Sequence, residues 1–235
     1  MADVVGAFRQ GARMTGVSTL EAYERWAPRY APVPHNPLMA AEQREMLARL
    51  PPLAGKTALD LACGSGRYAR LLEQAGAQCV VGVDFSMGML ERATGARVRG
   101  DLTSLPFVSR AFDVVVSGLA LGHAADLGRC ARECARVLAS GGLFLYSDFH
   151  PDGVRAGLKR AFRDSGGIRC ELPAGEYRVS QHLGALDAAG FVEVELAEIR
   201  AGVEFNESFP GADEFFRAWL GTPLFFIVRA RKAGA

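Results

Sequence analysis

Short, nearly continuous apolar runs recur along this chain, separated by stretches whose apolar residues repeat at helical spacing. The runs at residues 57–62, 79–83, 96–99, 112–117 and 142–148 are strand-length and rich in Val and Leu, the pattern of strands buried on both faces. Helices are predicted near 67–76, 87–94 and 126–138, and another near 179–189. Phe191-Val-Glu-Val-Glu-Leu196 alternates apolar with acidic residues, which suits a strand with one more polar face, and Pro223–Arg231 reads as a final strand. Strands alternating with helices predict an α/β domain whose parallel sheet is covered on both sides. Neither an internal repeat nor a low-complexity linker interrupts it.

The first strand ends in a sharp turn. In Ala58-Leu-Asp-Leu-Ala-Cys-Gly-Ser-Gly-Arg67, Gly64 and Gly66 carry no Cβ, so the backbone there can reverse and approach a ligand closely. The second strand, Val80-Val-Gly-Val-Asp84, ends in a carboxylate placed where an acid grips a ribose hydroxyl. A dinucleotide site shares those features, but Asp60 would repel the pyrophosphate of NAD or FAD. A cationic ligand would be welcome there.

The run Asp60-x-Ala62-x-Gly64-x-Gly66 resembles motif I of the Rossmann-like (class I) S-adenosylmethionine-dependent methyltransferases, with Ala62 in place of the first glycine. Alanine is small enough to make that turn. Gly82-Val-Asp84-Phe-Ser86-x-x-Met89-Leu90 is similar to the second motif, Gly100-Asp101-Leu102 with Leu105-Pro106-Phe107 to the third, and Phe112-Asp113-Val-Val-Val-Ser117-Gly118-Leu119 to the fourth. Arg136-Val-Leu138-x-x-Gly141-Gly142 completes the series. Any one is weak and five in register are strong. The resemblance extends from about residue 18 to the C-terminus and points to the small-molecule, quinone-biosynthesis-like branch, methyltransferase type 11.

That resemblance implies a doubly wound, seven-stranded, mostly parallel sheet with its last strand antiparallel, an N-terminal helical lid over residues 1–50, and a methyltransferase domain over 51–235 with a substrate cap at 149–180. It implies S-adenosylmethionine as cofactor, leaving as S-adenosylhomocysteine. Asp60, Ala62, Cys63, Gly64, Ser65 and Gly66 would form its turn, Asp84 would bind the ribose, and Phe85 and Met89 would lie near the adenine. Asp101 would take the adenine amine and the Leu102 amide a ring nitrogen. Ser117 and Gly118 would face the methionine moiety.

Composition changes this picture little. The chain has 235 residues, 49% of them hydrophobic, enough for one sizeable core. A net charge of +1 supplies no global pull toward nucleic acid or anionic membrane, so a small-molecule acceptor is favoured over a polymer. The five cysteines include no Cys-x-x-Cys, and no nearby ligands complete a metal site at Cys130 and Cys134; no metal is expected. With no leader or long apolar span at the start, a cytoplasmic monomer or homodimer is expected.

Two regions fall outside the nucleotide-binding pattern. Tyr23-x-x-Trp26-x-x-x-Tyr30 puts three aromatics on one helical face, either as a packing stripe or, as in similar segments of small-molecule methyltransferases, as a lid with Tyr23 and Trp26 on the acceptor and Tyr30 on the cofactor. After the fifth strand, Ile168–Leu172 and Glu176–Val179 read as a β-hairpin, and Arg155, Lys159, Arg160, Arg163, Arg169 and Arg178 surround it. They form either a solvated face or, with Arg169 and Arg178 foremost, a seat for an anionic acceptor.

Methyl transfer needs mainly alignment, and a base only for a neutral acceptor. Tyr146-Ser-Asp148-Phe-His150 ends the fifth strand at the site's mouth, so Tyr146 is a substrate contact, His150 the leading base and Asp148 its orienter; a histidine capping the turn before Pro151 is the competing reading. His123 ranks second as base. The fourth motif lacks the Asn/Asp-Pro-Pro-aromatic clamp of amine methyltransferases, which favours transfer to oxygen or carbon over nitrogen. An acyl group borne on a carrier protein is the alternative acceptor, and an NAD-binding module the third reading.

Overall fold

The computed structural model describes residues 18–164, 169–172, 177–202, 209 and 211–234. Its centre is a seven-stranded sheet. In chain order the strands are β1 (Thr57–Leu61), β2 (Cys79–Asp84), β3 (Ala96–Arg99), β4 (Phe112–Gly118), β5 (Leu138–Phe149), β8 (Phe191–Arg200) and β9 (Pro223–Lys232), arranged β3-β2-β1-β4-β5-β9-β8. Strands β1 to β5 pair in parallel, and β9 runs antiparallel between β5 and β8. This is the doubly wound sheet expected, last strand reversed.

Alternation along each strand splits the core between the two faces. Val114, Val116, Phe225 and Ile227 pack on one side with Leu72 and Phe215. Val115, Phe226 and Val228 pack on the other with Leu59, Phe144 and Cys130. The first side is covered by α2 (Pro37–Leu47), α3 (Arg67–Gln74) and α8 (Ala212–Ala218), the second by α5 (Leu127–Val137) and α7 (Val179–Ala188). Cys130 and Cys134 are fully buried in α5 as core thiols.

Because the order reverses between β1 and β4, connections leave these adjacent strands in opposite directions, opening a crevice at their carboxyl ends. At that end lie α1 (Thr19–Trp26) and α4 (Met87–Leu90). Ser18 caps α1 by accepting the Glu21 amide, and Glu24 of α1 accepts the Gly88 amide of α4 at 3.1 Å. A carboxylate at another helix's amino end thus fixes α1 to the sheet domain.

Several elements depart from expectation. Helix α4 spans four residues rather than reaching 94: its last turn tightens, with Ala93 N–H donating to Leu90 O, and Gly95 at φ +78 reverses the chain into β3. Tyr30 lies beyond α1, because Pro28 closes the helix in a 3-10 turn over Ala27–Arg29. The hairpin has a different partner: β7 (Arg169–Glu171) pairs with β6 (Ala161–Arg163), Val179 begins α7, and residues 173–176, the expected turn and the first position of the expected second strand, lie outside the described residues. So do residues 1–17 of the N-terminal segment.

Candidate active site

At the carboxyl ends of β1, β2 and β4 a cavity of about 350 Å³ opens, within the range of small-molecule sites. The glycine turn forms its floor. Gly64 and Gly66 both hold left-handed φ, at +53 and +82, and so does Ala62 at +55, a conformation that costs a residue with a Cβ about 1 kcal/mol or more. Asp84 locks the turn: its Oδ2 accepts the Gly64 amide at 2.8 Å and its Oδ1 the Ser86 amide at 2.9 Å. Burial pushes the Asp84 carboxyl upward against those bonds. Asp60, 1% exposed, accepts the Ala69 amide at 2.7 Å, and burial raises its carboxyl to about 7.

Of the expected cofactor residues, Tyr30, Asp60, Ala62, Cys63, Gly64, Asp84, Phe85, Met89, Asp101, Leu102 and Gly118 line this cavity. Ser65, Gly66 and Ser117 do not. Ser65 is turned toward the Ala31 carbonyl, and the Ser117 hydroxyl is buried with no hydrogen-bond partner. Asp101 is partly engaged already, accepting the Thr103 amide at 2.7 Å.

The aromatic segment closes the other side. Trp26 packs edge-on against Tyr30, ring centroids 4.6 Å apart, and stacks on Phe162 of β6 at 4.8 Å. Tyr23, Trp26 and Tyr30 all face the cavity, so the stripe packs and lines the site at once.

The expected base lies elsewhere. His150 is 3% exposed, does not line the cavity, and caps α6 (Pro151–Arg155): its Nδ1 accepts the Asp152 amide at 3.1 Å and its Nε2 donates to Glu198 at 3.2 Å. The capping reading therefore describes it. Asp148 does not orient His150; it accepts the amides of Gly122 and Phe149, holding the turn that carries His123. Tyr146 is buried in the core against Phe144 and His182. Arg178 is exposed as the N-cap of α7, and the Arg169 side chain lies outside what the structure describes.

Only His123 of the three catalytic expectations reaches the cavity. Its Nε2 faces Arg160, which also donates to the Tyr23 hydroxyl at 2.8 Å and to the Leu119 carbonyl, while stacking 4.6 Å over the Phe149 ring. Burial, helped by the Arg160 charge, pushes the His123 imidazole down to about 3, and burial raises the Tyr23 phenol to about 12. Both are neutral at pH 7.

Sequence reasoning missed a second charged group. Glu42 of α2 is fully buried and pairs with Arg67 at 2.8 Å, accepting also from Tyr68 at 2.7 Å and Ser147 at 2.5 Å. Arg67 and Tyr68 line the cavity, and the Arg67 Nη1 is buried without a hydrogen-bond partner. Burial opposes the Arg67 charge and Glu42 overrides it, so the guanidinium stays protonated. The sequence signal was an acid on an otherwise buried helical face.

These groups fit a ligand with a ribose, an adenine and a zwitterionic amino acid end: acceptor carboxylates at Asp84, Asp101 and Asp60, and an unsatisfied buried donor at Arg67. Residues 59–146 match the model of a methyltransferase domain family. A malonyl-[acyl-carrier protein] O-methyltransferase of Coxiella burnetii is 37% identical over 117 residues, 49% of this chain and 40% of the relative. A 2-phytyl-1,4-naphtoquinone methyltransferase of Nostoc punctiforme is 40% identical over 110 residues, 41% of this chain and 48% of the relative. The chain thus spans less than half the length of these curated relatives. A solved S-adenosylmethionine-dependent methyltransferase of Mesorhizobium loti superposes with a TM-score of 0.67 at 28% identity, covering 82% of this chain and 98% of that one. Sheet order, glycine turn, acid positions and these likenesses agree: residues 59–146 resemble a methyltransferase domain, and the fold is that of the Rossmann-like S-adenosylmethionine-dependent methyltransferases.

Proposed function

We propose that this protein transfers the methyl group of S-adenosylmethionine to a small-molecule acceptor, at oxygen or carbon in preference to nitrogen. The observation that carries this reading is the meeting of Asp84, Asp101 and the glycine turn in one cavity that an aromatic wall closes. Asp84 would hold the ribose, Asp101 and Leu102 the adenine, and Asp60 the cationic end. Bound there, the cofactor supplies a sulfonium methyl group that needs no further activation.

The protein's own work is alignment and exclusion of water. Tyr23, Trp26 and Tyr30, fixed through Glu24, form the lid, and their ring faces add about 0.5–2 kcal/mol of attraction for a cation beside them. His123, neutral and with its Nε2 turned to Arg160, has no free lone pair on that nitrogen with which to take a proton. An acceptor that needs no base suits the site best.

A carrier-borne acyl acceptor is the second reading, favoured by the name of the Coxiella relative. The basic segment gives it less support than its composition suggests, since Arg155 pairs with Asp152 and Arg160 turns into the cavity. Among the described residues no helix is long and apolar enough to cross a membrane. The buried thiols of Cys63, Cys130 and Cys134 suit a reducing, cytoplasmic setting.

Calorimetry with S-adenosylhomocysteine tests the assignment. Micromolar binding to the wild type, weakened more than about 100-fold by Asp84→Ala, is expected, since two buried hydrogen bonds and the ribose contact go together. Binding of NAD in its place would overturn it.

A further inference from the structure

Once the cofactor's acids are assigned, two guanidiniums remain in the cavity wall, and they differ in one respect. Arg67 has a counter-ion in Glu42. Arg160, half-buried, touches only neutral partners among the described residues: the Tyr23 hydroxyl, the His123 imidazole, the Leu119 carbonyl and the Phe149 ring. Among the described residues no carboxylate balances its charge.

We propose that Arg160 is the specificity-determining residue for the acceptor, binding a carboxylate group on a small acidic molecule, with the Tyr23 hydroxyl as a second donor. This rests on the methyltransferase reading and names its substrate class. A guanidinium has five N–H donors, of which the Tyr23, His123 and Leu119 contacts take three, leaving two for an incoming anion. A planar fork with two free N–H groups is the geometry that pairs with both oxygens of a carboxylate. The fork is held rigid before any ligand arrives, by the Phe149 ring beneath it and by Leu119, whose φ of +58 turns its carbonyl into the site. A cation half out of water without a counter-charge favours an anionic ligand over a neutral one of equal shape.

The neighbouring groups agree in sign. His123 is uncharged and adds no competing cation, and the Tyr23 phenol keeps its proton and can donate it in a hydrogen bond. The cavity's three acids are Asp60, Asp84 and Asp101. These sit at the ends of β1 and β2 and just beyond β3, whereas Arg160 reaches in from the segment before β6. The two ends of the cavity therefore carry opposite charge, one for a cationic cofactor and one for an anionic acceptor.

The test is calorimetric titration of the protein saturated with S-adenosylhomocysteine, using benzoate, phenylacetate, malonate and succinate, each paired with its amide. At least one acid should bind tenfold or more tighter than its amide. Arg160→Gln should erase that preference while leaving S-adenosylhomocysteine affinity within about twofold, and Arg160→Lys should restore part of it. Equal binding of acids and amides, or no acid binding, overturns this inference while leaving the cofactor assignment intact. So does a preference that survives Arg160→Gln, or loss of S-adenosylhomocysteine binding in that variant, which would place Arg160 on the cofactor. Failure of the wild type to bind S-adenosylhomocysteine overturns both.

Discussion

The two ends of the cavity are built in different ways. The end proposed for the cofactor is local: Asp60, the glycine turn, Asp84, Asp101 and Leu102 fall within one βαβ unit and the loop after β3, and most of their bonds are to backbone amides. The end proposed for the acceptor is assembled from afar. Tyr23 meets His123 across 100 positions and Arg160 across 137. A site made from turn geometry tolerates little change in its spacing, whereas one made from side chains on separate loops can be altered residue by residue. The fold can thus keep one ligand and exchange the other.

Glu42 ties the two ends together, and removing it should have the largest effect. It lies under Arg67 and Tyr68 at the cofactor end and bonds Ser147 on β5, whose backbone carbonyl accepts the Leu119 amide at the acceptor end. Glu42→Ala leaves Arg67 buried and unpaired, and should destabilise the protein by about 3–5 kcal/mol in urea unfolding. An unchanged unfolding midpoint would show the two ends to be independent.

Asp60 separates them by pH. Its carboxyl is raised to about 7 by burial, so folding favours its proton. The stability it contributes is fully present below about pH 4 and is lost as pH rises through 7. An ammonium pairs with the ionised form, and S-adenosylhomocysteine keeps the ammonium of its amino acid end although it lacks the sulfonium, so it should bind about tenfold tighter at pH 8 than at pH 6. Asp60→Asn should flatten that dependence and raise the melting temperature of the unliganded protein at pH 8. A pH-dependent affinity persisting in the variant would put the cation elsewhere.

At the acceptor end His123 should give no such signal. Its lowered pKa means that the stability it contributes is present above about 6.5 and is lost as pH falls from there toward 3. Activity should therefore show no limb from this group between pH 6 and 8, and His123→Gln should lower kcat/KM by less than about tenfold, the scale of a lost neutral hydrogen bond. A larger loss, with a limb near 6.5 abolished, would make His123 the base after all.

This local-versus-distant division also decides what could be read from the chain. The strands and the acids at their ends follow from apolar runs and short spacings, because each is determined within a few residues, whereas the reversed last strand comes from the family resemblance. The hairpin was assigned the wrong partner because 161–163 and 176–179 flank the same strand, and pairing is settled by packing of Phe162 against Trp26. His150 stood at the right strand end, yet its ring turns to Glu198 on β8, a contact no spacing encodes. Arg160 was visible as one charge in a basic segment; its inward turn depends on Tyr23 and Leu119, both remote in sequence. Glu42 showed only as an acid on an apolar helical face, and its partners Arg67, Tyr68 and Ser147 come together only when that helix is packed.

The smallest effect comes from the one place where this chain departs from the glycine pattern of the motif it resembles. Ala62 sits at φ +55, in the left-handed region that explains a glycine there, and it lines the cofactor end of the cavity. Ala62→Gly relieves roughly 1–2 kcal/mol of backbone strain and gives back about 0.4–1 kcal/mol through the freer unfolded chain. The net should be a gain of about 0.5–1 kcal/mol in urea unfolding, with S-adenosylhomocysteine affinity unchanged within about twofold. A loss of stability would mean that the alanine methyl packs well enough to outweigh its strain. A loss of affinity with stability intact would mean that the strained turn holds the Gly64 amide on Asp84, and that the cofactor end too relies on a side chain.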